Sequence, residues 1–114
     1  FLPPLQKRIC MLEKNNKTLG LYGGGLQVIS LLNHKLSPRF FNGDVAVHGK
    51  YFPGYSSPIE NPVNLTKNKV DELWVMATDY DKEIIDYLRE KINIPKSTNI
   101  FSFKKFLENY DKIN

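Results

Sequence analysis

The chain has 114 residues, 41% hydrophobic, 25% charged and 12% aromatic, enough for one domain with its own core and no staples. Its single cysteine, Cys10, excludes an internal disulfide, and no run of eighteen apolar residues is present to cross a membrane as a helix. The formal charge of +4 is spread over scattered lysines rather than a basic block, which argues against a nucleic-acid reader.

In chain order, Pro3 and Pro4 suit a first helical turn, and Leu5, Ile9 and Leu12 lie on one face of a short amphipathic helix. Asn15 and Asn16 end it. Residues 1–16 read as a lead-in helix or the end of an upstream domain, and residues 17–114 as the main domain. Residues 18–22 read as a buried strand, weakened by Gly20. Three glycines follow, and then residues 26–32 read as a helix with Leu26, Ile29 and Leu32, or Val28 and Leu32, facing inward. Ser37-Pro38 breaks the pattern, and Arg39-Phe-Phe-Asn-Gly-Asp44 reads as a short second strand running into a turn.

Residues 45–64 hold several prolines and glycines, aromatics and His48, and read as a long loop of the kind that carries function or mobility. Within it, Ile59 marks a very short strand and residues 62–67 one helical turn. The clearest strand is Asp71-Glu-Leu-Trp-Val-Met-Ala77, whose continuous apolar run suits a strand covered on both faces. Thr78 or Asp79 is placed to cap the next helix, which buries Ile84, Ile85, Leu88 and Ile92 before Pro95 ends it. Residues 98–102 form another strand. Phe103, Phe106, Leu107 and Tyr110 then give a closing helix its inner face. This alternation predicts an α/β fold: a small three-layer Rossmann-like domain with a mostly parallel sheet of about four to five strands.

The chemistry concentrates at Gly23, Gly24 and Gly25, between a strand and a helix start. Without Cβ atoms, a phosphate approaches such a backbone closely, next to unpaired amides. In the dinucleotide fingerprint G-x-G-x-x-G, Val28 stands at the third glycine, where close helix–strand packing is normally permitted. The turn therefore reads either as a nucleotide-phosphate cradle or as a plain strand-to-helix bend. Asp44, 21 positions after Gly23, has the spacing of an acid that holds a ribose or sugar hydroxyl, and equally that of an Asn-Gly-Asp turn. In His48-Gly-Lys-Tyr-Phe-Pro-Gly-Tyr55, aromatics are available to stack on a base or sugar while Lys50 reaches a phosphate. Plugging the core edge is the commoner fate of such rings. Thr78, Asp79 and Tyr80 follow the best strand and so fall beside the same crevice.

Other chemistries fare poorly. Two histidines, one cysteine and no spaced ligand cluster give no metal site. Serine-hydrolase and P-loop signatures are absent. Cys10 reads as a small buried hydrophobe. No catalytic residue is assigned.

Taken together, Leu21-Tyr-Gly-Gly-Gly, Phe41-Asn-Gly-Asp, His48-Gly-Lys-Tyr-Phe-Pro-Gly and Val70-Asp-Glu-Leu-Trp-Val-Met-Ala resemble the small Rossmann-like modules that accompany bacterial sugar C-methyltransferases and other surface-polysaccharide biosynthesis proteins. The resemblance covers about residues 17–108. It implies binding positions at Gly23, Gly24, Gly25, Leu26, Asp44 and the Thr78–Asp79 turn for a nucleotide or nucleotide-sugar, while Val28 weakens an NAD(P) reading; Gln27, Lys50 and Tyr80 join them as candidate ligand-binding residues. The expected setting is cytoplasmic, with other domains of the same polypeptide as partners. This chain alone is not expected to be catalytic. Two alternatives stay open: a structural or interaction domain with an empty crevice, and an NAD(P)-dependent oxidoreductase.

Overall fold

The structure, a computed structural model, describes residues 2–113, the last four of them by backbone alone. The apolar runs become strands: β1 (Leu19–Tyr22) and β4 (Glu72–Val75) are buried at every position. β2 (Arg39–Phe41), β3 (Ile59–Glu60) and β5 (Asn99–Ser102) complete one all-parallel sheet in the order β3-β2-β1-β4-β5. Leu21 of β1 pairs with Phe40 on one side and Trp74 on the other. This is the expected α/β, Rossmann-like architecture, with five strands and no antiparallel member within the sheet.

Period-two alternation sorts the strand residues between two cores. On one face Leu19, Leu21, Phe40, Trp74 and Met76 pack with Leu5, Ile9 and Leu12 of α1 (Leu2–Lys14), Ile29 of α2 (Leu26–Ile29) and Phe103 of α4 (Phe103–Ile113). On the other, Tyr22, Phe41, Leu73 and Val75 pack with Leu65, Leu88 and Ile94, flanked by Ile84 and Ile85 of α3 (Asp81–Tyr87). With both faces covered, the central strands β1 and β4 have no wet side, which is why they read as unbroken apolar runs. Gly20 belongs in β1 for a packing reason. A β-carbon there would stand 2.9 Å from Phe41 Cε2 and 3.0 Å from Leu73 Cδ1.

Several elements differ from the sequence expectation. The helix expected over residues 26–32 lasts one turn, Leu26–Ile29. Beyond it the amides of Leu31 and Leu32 turn to carbonyls three residues back, and the Ser30 hydroxyl donates to the Gln27 carbonyl. Such local bonds compete with helix propagation. Gln6 then fixes the emerging chain, its side chain accepting from the Asn33 amide and donating to the Asn33 carbonyl.

α3 starts at Asp81, with Tyr80 left-handed at φ 61°, and neither Thr78 nor Asp79 caps it. It continues as a π-helical turn over Leu88–Ile92 and closes at left-handed Asn93. Cys10 is exposed rather than buried, because it sits beside Ile9 and outside the inward stripe of Leu5, Ile9 and Leu12. The 45–64 segment is more ordered than a loop. The short strand expected at Ile59 is present as β3 and the helical turn expected from Pro62 as a 3-10 turn over Pro62–Thr66, while the 3-10 turn at Val45–Val47 lies beyond that expectation. The side chain of Tyr110 lies outside the described residues.

Candidate functional site

In a parallel sheet the crevice for a ligand opens beyond the carboxyl ends of the strands, where the strand order reverses. Here that point lies between β1 and β4. β1 continues outward to β2 on one side, and β4 to β5 on the other. Gly23 carries the ladder one step further, its amide donating to the Phe41 carbonyl at 3.1 Å, and the Met76 amide likewise donates to the Tyr22 carbonyl at 3.0 Å. The two chains then diverge.

Gly23, Gly24 and Gly25 turn through φ angles of 78°, 117° and 93°. Side chains rarely adopt three such angles in succession, so only glycine makes this bend without strain. Gly25 is left-handed and is followed directly by helical Leu26, a succession that aims consecutive amides to one side. Among the described residues, no backbone carbonyl accepts from the amides of Gly24, Gly25, Leu26, Gln27 or Val28. A one-turn helix contributes little macrodipole, so these amides act as individual donors.

A hollow of about 460 Å³ opens against this bend, within the range of about 300–1,000 Å³ usual for small-molecule sites. Gly24, Gly25, Leu26, Gln27 and Val28 form one wall. Phe52, Met76 and Phe103 form the rest. Met76 lies one residue past β4 and Phe103 one residue past β5, both at the carboxyl end of the sheet. Phe52 arrives from the aromatic loop, which is folded back by a Tyr51–Pro58 bridge and an Ile59 amide donating to the Lys50 carbonyl at 2.8 Å. Phe52 and Tyr55 both pack edge-on to Phe40, with ring centroids 5.0 and 5.2 Å away. The loop thus plugs the core edge and also walls the hollow, while Tyr51 stays exposed.

Of the residues singled out in the sequence, Gly24, Gly25, Leu26 and Gln27 share the hollow, while Gly23 lies next to Ala77 and outside the lining. The others lie outside its lining. Asp44 is exposed and accepts the Ala46 amide at 3.0 Å as the cap of the Val45–Val47 turn. Lys50 is exposed, and so are Thr78, Asp79 and Tyr80 in the loop after β4. Met76 and Phe103 were not singled out. The signal was available: Met76 continues the alternation of Trp74 onto the α1 face, and Phe103 begins the helix after a strand end.

Beside Phe103, the Ser102 hydroxyl donates to buried Asp81 at 2.8 Å and accepts the Lys105 amide at 3.2 Å, capping α4. This bond, with Lys104 Nζ 3.9 Å away, holds the Asp81 carboxyl below its ordinary pKa. Both groups are fully engaged in tying α3 to α4.

A second hollow, of about 350 Å³, lies at the opposite end of the sheet, among Arg8, Lys17, Asp71 and Glu72. Its acids already have partners. Glu72 pairs with Arg8 and accepts the Trp74 indole N–H at 2.8 Å, and Asp71 accepts the amide and hydroxyl of Thr18 at 2.9 and 3.0 Å. The carboxyl-end hollow, with its open donors, is the better candidate for a ligand site.

No titratable side chain among the described residues lines that hollow. It offers backbone donors, one amide side chain and apolar walls, a constellation for binding rather than proton transfer or nucleophilic attack. Among the described residues, no group of three or more His, Cys, Asp or Glu side chains is placed to hold a metal ion. No helix among them is long and apolar enough to cross a membrane. No protein-family model matches the chain, and no curated protein matches it.

Proposed function

We propose that this chain is a nucleotide- or nucleotide-sugar-binding module that serves a larger carbohydrate-modifying enzyme. The observation that carries the reading is the hollow at the point of strand-order reversal, walled by Gly24, Gly25, Leu26, Gln27 and Val28, whose amides find no backbone acceptor among the described residues. The resemblance to modules of surface-polysaccharide enzymes supplies the ligand class. Calorimetric titration with UDP-, GDP- and dTDP-sugars tests it. Saturable heat with at least one of them is expected, and none at millimolar ligand counts against the module reading.

A non-catalytic supporting domain is the second reading. What favours it is Asp44, whose carboxylate already caps a local turn. The NAD(P) reading has less support, because Val28 stands at the third fingerprint glycine and α2 ends after one turn.

A further inference from the structure

Resting on the nucleotide-binding reading, the lining of the carboxyl-end hollow specifies which part of the ligand enters it. Among the described residues no cationic side chain lines the hollow, and Lys50, the candidate phosphate partner, is outside the lining. A diphosphate seated there would depend on neutral donors alone, the backbone amides and the Gln27 side-chain amide, to replace the water around its charges, whereas such groups are usually held by Arg, Lys or a metal ion. The walls are of another kind: two aromatic rings, Phe52 and Phe103, the thioether of Met76, and the aliphatic Leu26 and Val28. Aromatic and sulfur-bearing surfaces favour a flat π-system. The polar complement is small and neutral. The amides of Gly24 and Gly25, which no backbone carbonyl accepts among the described residues, are donors suited to ring carbonyl oxygens, and the exposed Gln27 side chain offers one donor group and one acceptor.

We infer that the hollow holds the uncharged heterocyclic base of the ligand, and that the phosphates and sugar lie outside it. Recognition then rests on apolar contact and neutral hydrogen bonds, so it is insensitive to salt.

The experiment titrates the 114-residue chain with UDP-, GDP- and dTDP-sugars, with uridine, guanosine and thymidine, and with glucose 1-phosphate and pyrophosphate, at low and high salt. The nucleoside matching the nucleotide-sugar that binds is expected within about tenfold of its affinity, unchanged by salt, with no binding of glucose 1-phosphate or pyrophosphate. Phe52→Leu, which keeps apolar bulk but removes the ring, is expected to weaken that nucleoside about tenfold. Phe52→Ala is a second probe, with its folding checked by circular dichroism because Phe52 also packs on Phe40. Binding of pyrophosphate or glucose 1-phosphate without any nucleoside, or an unchanged affinity in Phe52→Leu, overturns the inference and leaves the module reading standing. Silence from every nucleotide-sugar overturns both.

Discussion

Met76 occupies the space that a side chain on Gly25 would need: a β-carbon built on Gly25 stands 2.4 Å from Met76 Cγ and 3.2 Å from Met76 Cβ. The glycine bend and the end of β4 are thus fitted to each other, and the hollow exists in the gap that this fit leaves. Gly24, with φ 117°, has no atom within 4 Å of its would-be β-carbon. The two glycines are therefore required for different reasons, Gly25 for space and backbone angle together, Gly24 for angle alone.

Gly25→Ala is accordingly expected to destabilise the fold more than Gly24→Ala. Strain of about 1–3 kcal/mol applies to both, and displacement of Met76 adds overpacking to Gly25→Ala alone. Urea denaturation of both variants checks the order. Equal losses would show that Met76 yields without cost.

Gly20→Ala isolates packing without any left-handed backbone. Phe41, Leu73 and Val70 lie 2.9–3.2 Å from the added carbon, so a loss of about 1–3 kcal/mol is expected from overpacking. A neutral result in the same denaturation assay would mean that the α3-side core is looser than its burial indicates.

Glu72 anchors α1 to the sheet through Arg8 and holds the buried Trp74 indole. Glu72→Ala leaves that indole N–H without its acceptor, at about 1–3 kcal/mol. Tryptophan fluorescence should report the change, since Trp74 is the only tryptophan. An unaltered spectrum and an unaltered melting curve would contradict this role.

Acid should weaken the fold through three carboxylates. The Arg39 guanidinium lowers the pKa of Glu60, the Thr18 amide that of Asp71, and the Ser102 hydroxyl that of Asp81. Each folded-state pKa lies below its unfolded value, so the unfolded chain takes up protons first. Their stabilisation is complete above the ordinary values of 4.5 for Glu and 3.8 for Asp, and is lost as pH falls through the folded values. Urea midpoints should hold steady down to about pH 5 and then drop. In Ser102→Ala the acid-induced drop should be smaller. A midpoint that rises towards pH 3 would contradict the sign.

The parts of this fold that announced themselves in the sequence were those with a single physical determinant. β1 and β4 are continuous apolar runs because both faces are covered, and α1 shows its stripe in Leu5, Ile9 and Leu12. What stayed hidden depended on tertiary partners. α2 stops after one turn, where short-range bonds and Gln6 capture the chain. Tyr80 takes the cap position of α3 in a left-handed conformation that composition does not reveal. The site divides in the same way. Three glycines in a row mark the bend, but Met76 and Phe103 enter the hollow only because the sheet brings the ends of β4 and β5 beside it.

The most direct test of a ligand site at this bend is amide NMR of the ¹⁵N-labelled chain during titration with the nucleotide-sugars. The account predicts saturable shifts concentrated at Gly24, Gly25, Leu26, Gln27 and Val28, with Asp44 and Lys50 little moved. Spectra unchanged at millimolar ligand, or shifts confined to the Arg8, Lys17 and Asp71 end of the sheet, would contradict it.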